Sequence, residues 1–224
     1  MLRMLKDVAS IVLVGNFNPA IFQPAWLAAK ELIRESEATG ANIEIIHPEL
    51  TQFCAGWLRL SVGTTRFAAS TEDPAHWGPL RDLVTGAFTL LDQTPTSALG
   101  LNRTVYVDLG DSETWHALGH LLAPKSPWEG ILREPGMNAV RLQGLRADGR
   151  PGHTFVRVEP LAKYANAVFV NITNEYVPTD PATPADTNTP YFLQCIKEDW
   201  ERILADAKVS VDKLVSQVLR EQAR

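Results

Sequence analysis

The sequence predicts an α+β protein: a long, twisted antiparallel sheet built from two β-α-β-β-β-α halves, with helices on one face and a long C-terminal helix. Three observations predict it. The order strand, helix, three strands, helix can be read from Ile11 to Leu91 and again from Ser97 onward. Strand candidates such as Leu58-Arg59-Leu60-Ser61-Val62 alternate apolar and polar residues, as a sheet with one covered face requires. Apolar residues step by three and four through Trp77–Leu91 and Phe192–Val218, the spacing of amphipathic helices. The repeat is one of element order, without residue-level identity between the halves. The divisions that follow are a first half over 1–95, a second over 96–177, a Pro/Thr-rich linker over 178–190 and a C-terminal helix over 191–224.

Ile11-Val12-Leu13-Val14, ended by Gly15, reads as a strand with both faces covered. Asn18-Pro19 turns the chain, and Pro24 opens a helix through Trp26, Leu27, Leu32 and Ile33 that stops near Thr39-Gly40. Ile43, Ile45 and Ile46 begin a strand that His47-Pro48 bends or ends. Leu58 to Val62 and Arg66 to Thr71 form a hairpin about Gly63-Thr64, and Glu72-Asp73-Pro74 breaks it before the Trp77 helix.

The second half opens with Ala98 to Leu109 as a strand. Asp111-Ser112 caps a helix carrying Trp115, Leu118, Leu121 and Leu122, which Pro124 ends. A helical turn from Pro127-Trp128 to Leu132 follows, then strands about Val140-Leu142, Phe155–Glu159 and Val168–Ile172, with turn chemistry at Ala147–Gly152. Pro178–Pro190 holds four prolines, four threonines and no large apolar residue, so it reads as a solvated linker. The final helix could bend at Val209-Ser210-Val211, where two β-branched residues flank a serine.

A net charge of −5 argues against a generally basic nucleic-acid coat and leaves room for a local basic patch. Cys54 and Cys195 are unclustered in apolar contexts, which fits small core hydrophobes in a reducing, cytoplasmic compartment. Arg3 and Lys6 precede an apolar run, but Asp7 interrupts the flank and no small-residue cleavage site follows. No segment approaches the ~20 apolar residues of a membrane span.

Chemistry-bearing motifs are sparse. His116 and His120 lie four apart on one helix face, half of a metal site, without the glutamate of a His-Glu-x-x-His arrangement. They are weak metal candidates, and the acids Asp108, Asp111 and Glu113 fit a helix N-terminus. No phosphate loop, nucleophile elbow, dinucleotide fingerprint or zinc-spaced cysteine pair occurs, so no cofactor is expected. The strand arginines are the strongest hint. Alternation places Arg59, Arg66, Arg141 and Arg157 opposite apolar neighbours and therefore on the open face, with Trp57 beside Arg59. Arg103 has the parity of Val105 and Val107, which puts it at a strand end or half-buried against a carboxylate. Trp57 and Trp128 are the tryptophans expected to be exposed.

Several segments resemble a sporadically distributed family of uncharacterised bacterial proteins. They include Val14-Gly15-Asn16-Phe17-Asn18-Pro19, His47-Pro48-Glu49, Ala98-Leu99-Gly100-Leu101-Asn102-Arg103, Trp115-x-x-Leu118-Gly119, Pro124-Lys125-x-x-Trp128, Val158-Glu159-Pro160 and Asn171-x-x-Asn174-Glu175-Tyr176. The resemblance spans roughly residues 11–176 and implies no reaction, cofactor or catalytic residue. Scattered occurrence is associated with accessory genes such as defence components. The leading expectation is a non-enzymatic module that recognises a protein partner through the open sheet face or the C-terminal helix. The alternatives are nucleic-acid binding on the arginine face and a metal-dependent hydrolase at His116 and His120.

Overall fold

In the computed structural model, which describes residues 3–180, 182 and 184–222, nine antiparallel strands form one sheet in the order β2-β3-β4-β5-β1-β6-β9-β8-β7. The strands are β1 (Arg3–Gly15), β2 (Asn42–His47), β3 (Leu50–Ala55), β4 (Leu58–Gly63), β5 (Arg66–Thr71), β6 (Thr96–Asp108), β7 (Val140–Leu145), β8 (His153–Pro160) and β9 (Ala167–Tyr176). The helices are α1 (Pro24–Ala29), α2 (Glu35–Thr39), α3 (Trp77–Leu90), α4 (Ser112–Leu122) and α5 (Thr189–Gln222). The chain is α+β, with the long C-terminal helix and the strand-helix-strands-helix order expected. The first half carries one strand more than the second. That strand is β3: His47-Pro48-Glu49 ends nothing but turns β2 back into it, with His47 paired to Leu50.

The 13-residue strands β1 and β6 pair along their length and join the two sides of the sheet. Ala9, Ile11 and Leu13 of β1 are buried under helices, whereas Val12 is half-buried and Val14 is exposed on the other face. The apolar run therefore does not have both faces covered, as expected of it. Helix α1 also stops early: Glu31 adopts φ 57°. The chain then swings so that Leu32 Cδ2 lies 2.7 Å from where a Cβ on Gly86 would stand. The missing side chain of Gly86 leaves room for that approach, and a larger residue there would require the Leu32 side chain to shift.

Two hydrophobic clusters lie on the helix side. One gathers Phe17, Phe22, Phe67 and Phe88 with β3–β5 and α3; the other gathers Val105, Leu118, Val158 and Val170. Helix α5 belongs to both: Phe192, Ile196 and Trp200 enter the first cluster, and Ala207, Val211 and Val218 the second. At 34 residues it is about 50 Å long, unbroken through Val209–Val211. Its apolar stripe is thus consumed within its own chain, which removes it as a free site for a partner. The preceding segment is not wholly solvated either. Asn188 and Thr189 are buried, Asn188 donates to the carbonyl of Thr96, and the Thr189 hydroxyl donates to that of Thr94. Pro181 and Thr183 of the expected linker lie outside the described residues.

A second fastening holds the β7–β8 hairpin to α5. Arg146 stacks 3.6 Å from the Tyr176 ring centroid, pairs with Asp148 and donates to the carbonyl of Glu175. Arg202 bridges Asp148 and Asp199 at 2.8 and 2.7 Å, and Arg150 reaches Glu198. Asp148 is desolvated, which would raise its pKa, but hydrogen bonds from Arg146 and Arg202 outweigh burial and bring it down to about 2.

Candidate functional site

The face away from the helices is open, and the strand register fixes what it displays. One row runs Arg59, Ser70, Ser10, Asn102, Thr173 and Phe155 across six strands. The next contains Val8, Thr104, Asn171, Arg157 and Arg141. Arg66 stands opposite Val14 at the far end of β1. All four arginines therefore project from this face, as their parity requires.

They are not one cluster. Arg66, Arg141 and Arg157 line a groove of about 550 Å³ together with Phe155, Phe169 and Asn102. Arg59 lies outside it, in a separate depression with Trp57, Glu72 and Asp73, and is paired with Glu44 at 3.0 Å. Trp57 is not an exposed face residue. It sits at the β3–β4 turn, where Gly56 at φ 56° interrupts the alternation, so its indole stacks on His76 at 5.0 Å and donates to Glu37 at 3.0 Å. Trp128 is exposed, as expected.

Within the groove the arginines differ in how they are held. Arg157 donates to Glu159 at 2.7 Å and lies 5.7 Å from the Phe169 ring centroid. Arg141 lies 5.3 Å from the Phe155 centroid, and neither it nor Arg66 has an acid partner among the described residues. Arg141 and Arg157 are direct cross-strand neighbours. Like charges so placed are destabilising in a sheet, and the Glu159 carboxylate on Arg157 and the Phe155 and Phe169 rings beside the pair offset that cost. The groove floor is polar and ordered: Asn171 donates to Thr104 at 2.8 Å, and the Thr173 hydroxyl donates to Asn171 at 3.0 Å.

The groove is long. Arg66 on β5 and Arg157 on β8 are four strands and about six residues apart, roughly 25–30 Å along the diagonal from strand spacing and rise. A single small anion cannot touch both, whereas an extended polyanion can.

The residues that sequence reasoning missed are Phe155 and Phe169, whose parity with Arg157 and Asn171 would have placed them on this face. Ser10 and Asn102 could not have been found, because only strand register sets them beside the arginines. Arg103 is on the helix side, nearly fully buried and bidentate to Asp7 at 2.9 and 2.5 Å, the carboxylate its parity called for. His116 and His120 are both exposed on α4, and among the described residues no group of three metal-ligating side chains assembles. Cys54 and Cys195 are free thiols. No helix among the described residues is long and apolar enough to cross a membrane.

No protein-family model matches the sequence, and no curated protein is significantly similar to it. Among solved structures, one match is a rolling circle replication initiator protein from Geobacillus stearothermophilus. It is 10% identical, with a TM-score of 0.31, over 89% of this chain and 80% of that one. At that TM-score the likeness is too distant to bear on what this chain does.

Proposed function

We propose that the open sheet face binds single-stranded nucleic acid. The observation that carries the proposal is the cross-strand pair Arg141 and Arg157, sharing with Arg66 a groove too long for a small anion. A phosphate backbone following the diagonal would meet guanidiniums at both ends, and its bases would lie over Phe155 and Phe169. The amide and hydroxyl groups of Asn102, Asn171 and Thr173 hydrogen-bond within the sheet and fix the polar floor between the arginines. The groove bears Phe155 and Phe169 beside its arginines, which suits unpaired bases better than a duplex.

The test is fluorescence anisotropy with a labelled single strand of about 12 nucleotides, comparable to the sites of other single-strand-binding grooves. Three phosphate contacts give a slope of about −2 in log K against log salt, from ~0.7 per contact on single strands. Arg141→Ala should reduce the slope by about 0.7. Equal affinity for duplex, or a slope near zero, refutes the proposal.

A protein partner is the second reading, and it rests on a different place. The β7 edge is unpaired on its outer side, and Leu142 and Leu145 there are 65% and 85% exposed. An extended segment of another protein could add to that edge as a further strand. Leu142→Lys should abolish such capture and leave nucleic-acid binding in place.

A further inference from the structure

We infer that a cavity on the helix side of the second half, distinct from the groove, is a binding site for a small organic acid with an apolar body. The cavity lies between α4, the 134–137 segment and the strand ends at Pro160 and Val168, and has a volume of about 410 Å³. That is within the ~300–1,000 Å³ of small-molecule sites. Its walls are largely apolar, formed by Trp115, Met137, Pro160 and Val168. Lys125 is half-buried in the lining and has no acid partner among the described residues. Glu134 lines the same cavity but is exposed and makes no ion pair with it, and His116 is exposed at the rim. An unpaired ammonium lining a largely apolar cavity is completed by an acid group on a ligand with an apolar body.

A second observation is independent of the charge. Gly119 lies inside α4, where glycine disfavours the helix and where its φ is not in the left-handed region. A Cβ built there would meet only Met137 Cβ, at 4.0 Å, which is ordinary contact. No close packing therefore requires glycine at 119. What its missing side chain provides is open space in the cavity.

The site is tested by isothermal titration of the full chain with octanoate and 4-phenylbutyrate, with octan-1-ol and octylamine as uncharged and cationic counterparts. At least one acid should bind saturably at one site, tighter than the alcohol and the amine. Lys125→Gln should weaken the acid by roughly tenfold or more, the effect of one charge-assisted hydrogen bond, and leave the alcohol unchanged. Gly119→Leu should keep the fold and lose binding of all of them, and Met137→Trp fills the same space if that variant does not fold. Absence of saturable binding by both acids at millimolar concentration overturns the inference. So does tighter binding of the amine, an unchanged acid affinity in Lys125→Gln, or undiminished binding in the cavity-filled variant. Loss of nucleic-acid binding in Arg141→Ala leaves these results unaffected, because that groove is on the other face.

Discussion

Asp7→Ala should be among the most damaging single substitutions in the chain. The Asp7–Arg103 pair sits between β1 and β6, where the two sides of the sheet meet, with side chains 11% and 5% exposed. Arg103 also donates to the carbonyl of Leu204 on α5 at 2.6 Å and lies 4.7 Å from the Trp77 ring centroid on α3. One guanidinium thus ties two strands to two helices. Removing the carboxylate leaves that charge buried with a single carbonyl and an aromatic face, a cost of about 3–5 kcal/mol. Against a total stability of roughly 5–15 kcal/mol this is a large fraction, and it lowers Tm by roughly 10 °C. Urea unfolding followed by circular dichroism reads the loss. The two substitutions should also be non-additive: Asp7→Ala with Arg103→Met should be less destabilised than Asp7→Ala alone, because the orphaned charge has gone. A loss below about 1 kcal/mol for Asp7→Ala, or single losses that simply add, would refute the reasoning.

Two further outcomes follow from the hairpin that carries Arg141 and Arg157. The Asp148 carboxyl is lowered from an ordinary value of 3.8 to about 2 in the folded chain, so its contribution is complete above pH 4 and is lost as pH falls toward 2. After solvent screening it amounts to roughly 1–2 kcal/mol, and Asp148→Asn should be less stable at neutral pH and flatter over that acid window in urea titrations. Gly152→Ala should destabilise by roughly 1–3 kcal/mol in the same assay, because residue 152 holds φ 124° and a Cβ would fall 2.1 Å from the carbonyl of Glu175. An unchanged Gly152→Ala would mean that the hairpin is not seated against β9 as described.

Much of the architecture was legible because period-two and period-three-to-four patterns report directly on one covered sheet face. The parity of Arg59, Arg66, Arg141 and Arg157 placed them correctly for the same reason. What escaped depended on partners distant in sequence. Strand β3 was hidden because His47-Pro48 carries equal signal for a terminus and for a hairpin turn. The early end of α1 follows from Leu32 packing over Gly86, a contact 54 residues away in sequence. Trp57 left the face because Gly56 broke the alternation one residue earlier, which no pattern of apolar residues reveals. The fate of α5 was equally illegible: its stripe reads the same whether it meets a partner or, as here, both cores of its own chain.

With α5 spent on packing, the large uncommitted surface is the open face, where Arg141 lies against the Phe155 ring and neither it nor Arg66 has a carboxylate partner among the described residues, whereas Arg59 and Arg157 are paired with Glu44 and Glu159. Ultraviolet cross-linking of a bound single-stranded oligonucleotide, with the adducts located by mass spectrometry, tests this most directly. The account predicts adducts on Phe155 and Phe169, lost when Arg141 and Arg157 are both replaced by alanine. Adducts confined to α3, α4 or α5, or persistence of the same adducts in the double variant, would contradict it.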